Sequence, residues 1–283
     1  MTFLATPNVP DGMVVAMRVF DEAFIYFDIA FLVVLIGLLL WQKKYMTLLV
    51  GALAGVLYMV VDYGIFYHAF QERIILFNGD MANKQLFFWI LCWMSLSYGF
   101  TNFVWIWLWI SKDKHLFEWS LLILCWWLTG PMLADKFSAG GEIITFRTTG
   151  TTHGGMAIML FVGYLMLIIW NLKNNNNGKI NIPWLLIIGI LVQFGWEFTL
   201  LIGGIRNPSS TMPFSQKLKT LIVNSLVETN LGMPYVYLLF IAYSSKFTER
   251  LKRRKAPLKF LDRIDENNRE KVKNDFYSEF LAG

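Results

Sequence analysis

Apolar positions in this chain run together in windows long enough to cross a bilayer, separated by short polar connections. The windows fall at residues 23–41, 46–68, 86–110, 116–134, 154–172, 182–204 and 219–243. A helix needs about 20 apolar residues to traverse a hydrocarbon core of ~30 Å. The pattern therefore predicts an all-α, polytopic membrane protein with seven transmembrane helices in residues 1–245, followed by a basic tail over 246–283. The first window is too long for a cleaved signal peptide and no A-x-A-like site follows it, so it is read as a helix.

Composition agrees: 56% of the 283 residues are hydrophobic and 16% are charged, the charges crowding into the connections and the tail. Lys43, Lys44, Lys112, Lys114, Lys173 and Lys179 share one side with the tail cations Lys246, Arg250, Lys252, Arg253, Arg254, Lys255 and Lys259. By the excess of cations in cytoplasmic loops, that side is cytoplasmic, with the N-terminus outside a cell (plasma) membrane. The opposite connections carry cations too, namely Arg18, Arg73, Lys84, Lys136, Arg147, Arg206 and Lys217, so the assignment leans on the tail. The formal charge of +5 is largely the tail's and points to anionic lipid headgroups as a partner rather than nucleic acid. Cys92 and Cys125 lie in apolar surroundings and read as small buried hydrophobes.

The windows contain an internal echo. Helix 2 reads GALAGVLYMVVDYGIFYHAF and helix 6 reads LLIIGILVQFGWEFTLLIGGI, each with a small-residue first half and then an acid followed by an aromatic. Helix 3 (SLSYGFTNFVWIWLW) and helix 7 (SLVETNLGMPYVYLLF) both open Ser-Leu and pass through polar residues into an aromatic end. Helices 1–3 and 5–7 are expected to be parallel copies joined by helix 4, a 3+1+3 plan in which ligand sites form between the copies. The long connection from Asp135 to His153, rich in Gly and Thr, either caps the outer mouth or is an ordinary solvated loop.

Ionisable groups inside membrane segments are expensive and mark functional sites. Asp28, Asp62, Glu197 and Glu228 all lie toward the outer ends of their segments, where one pocket would hold them. Asp62, among Tyr58, Met59, Ile65 and Phe66, must be protonated or paired, and suits a proton-loading site or a general acid. Glu197 has Gln193 one turn back and Trp196 and Phe198 beside it. Glu228 shares a polar face with Asn224, while Gly232 and Pro234 are expected to break helix 7 and free carbonyls near Asn230. Thr101 and Asn102 hold the matching place in helix 3. Asp28 is close enough to the helix end to reach headgroup water. For each of these, the alternative is a hydrogen bond that merely ties helices together. His68, His115 and His153 show no metal-ligand spacing, and the sequence points to no metal or cofactor. Many of the aromatics, which make up 17% of the chain, belong to interface belts, and a subset facing the acids would suit a ring or a cation.

P-loop, HExxH and Gly-x-Ser-x-Gly motifs are absent, which removes most support for ATP-driven transport, zinc proteolysis and serine hydrolysis. Helix 7 has no mid-membrane lysine for a retinal Schiff base. The 3+1+3 plan resembles the SWEET sugar facilitators and PnuC-type vitamin transporters, although Pro234 has no Pro-Gln partner. The placing of Asp62 and Glu228 resembles the small seven-helix membrane terpene cyclases, which use one acid in an early helix and another in the last; their Trp-Glu pair is Val61-Asp62 here, and Trp196-Glu197 lies in helix 6. The first resemblance implies a small-molecule transporter binding substrate through Glu197, Asp62, Glu228, Gln193, Trp196, Asn224, Asn230 and Asn102. The second implies an acid-catalysed intramembrane enzyme, such as a cyclase or isomerase, with Asp62 and Glu228 as catalytic pair.

Overall fold

A computed structural model describes residues 15–138, 140–148, 151–173, 180–206 and 214–247. The Asn run at 174–178 and the tail cations from Arg250 onward lie outside the described residues. The elements run β1 (Val15–Asp21), α1 (Ala23–Trp41), α2 (Tyr45–Met59) continuing as a π-helix (Val60–Ala69), β2 (Arg73–Phe77), β3 (Asp80–Met81) and α3 (Lys84–Ile110). They continue with α4 (Leu116–Lys136), β4 (Glu142–Thr148), α5 (Thr151–Lys173), α6 (Ile182–Ile202) and α7 (Phe214–Phe247).

Helix boundaries follow local chemistry. Asn83 caps α3 by accepting from the Leu86 amide at 2.9 Å, and Asn181 caps α6 by accepting from Trp184 at 3.1 Å, each satisfying an otherwise orphaned donor. At the far ends of α1 and α3 the chain turns through Lys43 and Lys112, whose φ of 57° and 55° is left-handed. Among the described residues, six helical stretches are long and apolar enough to cross a membrane: Ala23–Trp41, Tyr45–Ala69, Lys84–Ile110, Leu116–Lys136, Gly154–Lys173 and Ile182–Ile202. The 34-residue α7 is not among them and carries the polar run Asn224, Ser225, Glu228, Thr229 and Asn230. Val33, Leu53, Val56, Leu57, Ile158, Phe161 and Leu172 face outward uncovered, as in a multi-pass integral membrane protein whose solvent is lipid.

The most buried helix, α3, lies centrally and packs most closely on α2. Small residues allow that approach: a methyl group on Gly99 would sit 2.9 Å from the Cα of Gly55. The second close pair is α6 with α7, where a methyl on Gly189 would meet Met233 Cγ at 2.8 Å.

Segments read from the sequence only as connections form a four-stranded antiparallel sheet, in the order β1-β4-β2-β3, across one end of the bundle. The expected all-α class therefore fits, with this small sheet as an addition at one end of the helical bundle that the sequence reading did not include. The strands come from before α1, between α2 and α3, and between α4 and α5, and the turn after α6 joins them through the Arg18–Arg206 bridge and a Val19 N–H bond to Ile205 at 2.9 Å. The connection from Asp135 to His153 thus contributes an inner strand, β4, which pairs with β1 on one side and β2 on the other.

Register decides what the sheet presents to the helices. Arg18 lies opposite Thr145, and Arg73 lies opposite Arg147. Directly opposed residues share a face and alternate residues along a strand share it too. One face therefore carries Arg18, Arg73 and Arg147 together with Phe20, Ile75 and Ile143, the last three buried.

Candidate functional site

The arginines of the sheet end meet the carboxylates of the helices. Arg73 Nη2 donates to Asp62 Oδ1 at 2.5 Å, and Ser95 of α3 donates to the other oxygen at 2.7 Å. Asp62 sits in the π-helical continuation of α2, a local departure from α geometry of the kind frequent at functional sites. Arg206 holds Glu197 through two bonds, Nε to Oε2 at 2.7 Å and Nη2 to Oε1. Such a fork fixes both partners' orientation. Arg147 pairs with Glu228. All six side chains are buried.

Gln193 connects two of these pairs. Its amide nitrogen donates to Glu228 Oε2 at 3.2 Å, with a long 3.5 Å approach to Glu197, and its oxygen accepts from the hydroxyls of Tyr98 and Thr229. Trp196 lies on Tyr98 with ring centroids 5.5 Å apart and continues through Trp127, at 5.0 Å, toward Trp105. Asn230 accepts from Tyr164 and donates to the Leu226 carbonyl, both at 3.3 Å. Asn102 and Asn224 are fully buried, and neither end of either amide has a hydrogen-bond partner among the described residues.

Arg18 is different. Among the described residues no carboxylate lies within ion-pair distance of it. Its guanidinium lies 6.0 Å from the Tyr98 ring centroid and 5.7 Å from that of Trp196, within cation–π range. Burial, and then Arg206 beside it, pull the Arg18 guanidinium down to about 9. The same burial, with Arg73 as neighbour, lowers Arg147 to about 10.

A cavity of about 460 Å³ ends at this cluster. Its charged end is formed by Arg18, Arg73, Arg147, Asp62 and Glu228. From there it runs as an apolar trench between α2, α3, α5 and α7, past Leu53, Leu57, Phe103, Met159 and Leu239. Leu53, Leu57 and Met159 are 57%, 60% and 52% exposed, so the trench opens on the outward, apolar face of the bundle.

Of the residues expected to bind substrate, Asp62 and Glu228 line this cavity, while Glu197, Gln193, Trp196, Asn224, Asn230 and Asn102 stand behind it or elsewhere in the buried interior. The four acids do not share one pocket. Asp28 accepts from the indoles of Trp93 at 2.9 Å and Trp126 at 3.1 Å, and borders a separate small space. The expected break in the last helix does not occur, because α7 runs unbroken through Gly232 and Pro234. A proline interrupts one backbone hydrogen bond without ending the helix when tertiary packing holds it, and Gly163 of α5 lies against its ring.

The arginines, Tyr98 and Thr229 are the site residues that sequence reading missed. A usable signal was present in the connections: M-R-V-F, E-R-I-I-L-F and T-F-R-T each set an arginine among apolar residues of strand character, unlike the lysines of the opposite end. No known family model, curated protein or solved structure matches this chain.

Proposed function

We propose that the protein is an integral membrane transporter that takes a small molecule from the bilayer side into the cavity between α2, α3, α5 and α7. The observation that carries this reading is the cavity itself, apolar where it opens to the outward face and charged where it ends. A solute with an apolar body and a polar end would match both regions.

In this reading α7 spans the membrane as a seventh helix. The parallel 3+1+3 repeat draws support from the ion pairs: Asp62 binds Arg73 eleven residues on, and Glu197 binds Arg206 nine residues on, each arginine lying just past its helix. The sheet end would face outward and the tail inward. Of the outer cations that weakened that orientation, Arg73, Arg147 and Arg206 are buried against acids, which strengthens the excess on the opposite face. A plasma-membrane location belongs to the same proposal.

The second reading is an acid-catalysed enzyme, favoured by Asp62 and Glu228 lining one cavity. A general acid must carry a proton. Both carboxylates are held by arginine, and Asp62 accepts from Ser95 as well, so neither is presented as a free acid, which supports transport over acid catalysis.

Untargeted mass spectrometry of cells and medium, analysed separately for hosts expressing wild type or Asp62→Asn, tests the two. A compound that changes compartment only with wild type is expected. A new compound that appears with wild type while its precursor accumulates in the variant would overturn transport in favour of the enzyme.

A further inference from the structure

We infer that the cavity selects a single-chain amphiphile with an anionic head, a carboxylate or a phosphate ester, and that Arg18 is the residue that binds the head. The inference rests on the proposed lateral entry of substrate and adds its charge.

Among the described residues that line the cavity, charge does not balance. Three arginines, Arg18, Arg73 and Arg147, face two carboxylates, Asp62 and Glu228. Behind the cavity Glu197 and Arg206 neutralise each other. Asp28 does not supply the missing charge to the cavity, since it lies in the smaller space and both its oxygens are taken by indoles. Arg18 borders both spaces and pairs with neither carboxylate group. Arg18 is half-buried at the cavity's charged end, and a guanidinium partly stripped of water without a counter-ion carries a desolvation cost. An incoming anion would remove that cost.

Donors are available for it. Arg73 and Arg147 each keep a buried Nε with no acceptor among the described residues, and both lie on the sheet face that carries Arg18. Guanidinium groups present forked donors suited to the two or three oxygens of a carboxylate or phosphate. Tyr98 and Trp196 close one side of Arg18, so its open side is the cavity. A soluble anion would use the charged end only, whereas the trench past Leu53, Leu57 and Leu239 is apolar and opens toward lipid.

Equilibrium binding to the purified full-length chain in neutral detergent tests this without requiring transport. The probes are radiolabelled hexadecanoate, hexadecyl phosphate, hexadecanol, hexadecyltrimethylammonium and butyrate. Both anionic long-chain probes are expected to bind about tenfold or more tightly than hexadecanol, the size of a charge-assisted hydrogen bond. The cationic probe and butyrate are expected to bind least. Arg18→Gln should abolish the preference over hexadecanol while hexadecanol itself binds as before, and Arg18→Lys should restore part of it. Equal binding of anion and alcohol by the wild type, equal binding of butyrate and hexadecanoate, or a preference that survives in a folded Arg18→Gln protein would overturn the proposal. The wild-type head series decides even if the variant does not fold. Binding of the anions without movement between compartments would sink transport and leave this assignment standing.

Discussion

Arg18 and Arg206 are partners across an antiparallel bridge, yet only Arg206 reaches a carboxylate. Two guanidinium groups are thereby held side by side at the bundle end, with Glu197 gripped by one of them. Glu197→Gln would leave both cations without that charge. The expected cost is about 3–5 kcal/mol of stability, the usual penalty for orphaning one partner of a buried pair. Replacing Glu197 and Arg206 together by glutamine should recover part of the loss. Thermal unfolding of wild type, single and double variants in one detergent measures it.

Asp28 offers the contrast. It is buried but lies outside the cavity, held by Trp93 and Trp126. An asparagine keeps an acceptor for one indole and brings no unpaired charge. Asp28→Asn should cost no more than about 1–3 kcal/mol and leave substrate uptake intact. Uptake assays at matched membrane abundance check this, with Asp62→Asn as the variant expected to lose uptake.

Close packing of α2 on α3 predicts a steric effect. Gly99→Ala would place a methyl 2.9 Å from the Gly55 Cα and 3.0 Å from the Ala54 carbonyl oxygen, where backbone atoms rather than a flexible side chain must yield. Overpacking of this kind costs about 1–3 kcal/mol. Gly37→Ala, whose added carbon meets nothing within 4 Å, is the control and should leave unfolding unchanged or slightly improved.

Binding of an anionic probe should also report the Arg18 charge. Burial and the Arg206 guanidinium beside it lower the Arg18 guanidinium only to about 9, so it stays charged across the neutral range. Hexadecanoate affinity is therefore expected to stay level between about pH 6 and 8, and hexadecanol affinity likewise. A titration of both probes on the wild type tests this.

The helices were legible because lipid imposes one requirement, a long apolar run, and the windows at 23–41 and 86–110 coincide closely with α1 and α3. Asp62 and Glu228 were legible for the converse reason, as charges where charge is costly. Their partners were not. Arg73 and Arg147 lie in connections where cations are ordinary, and only the strand register turns them toward the bundle. The strands themselves hid because β1, β2 and β4 are short and bury their apolar side chains against helix ends rather than a second sheet. Period-2 alternation is weak in segments where an arginine such as Arg18 lies on the inward face.

The cap joins the segment before α1, the two later connections and the turn after α6 into one hydrogen-bonded plate. At the opposite end, among the described residues, tight turns at Lys43 and Lys112 link α1 to α2 and α3 to α4, and Lys44 pairs with Asp113. The molecule is thus tied like a sheaf bound near one end. Widening of the cavity is therefore expected to cost least away from the plate, with the arginines on the plate keeping their places as the walls part.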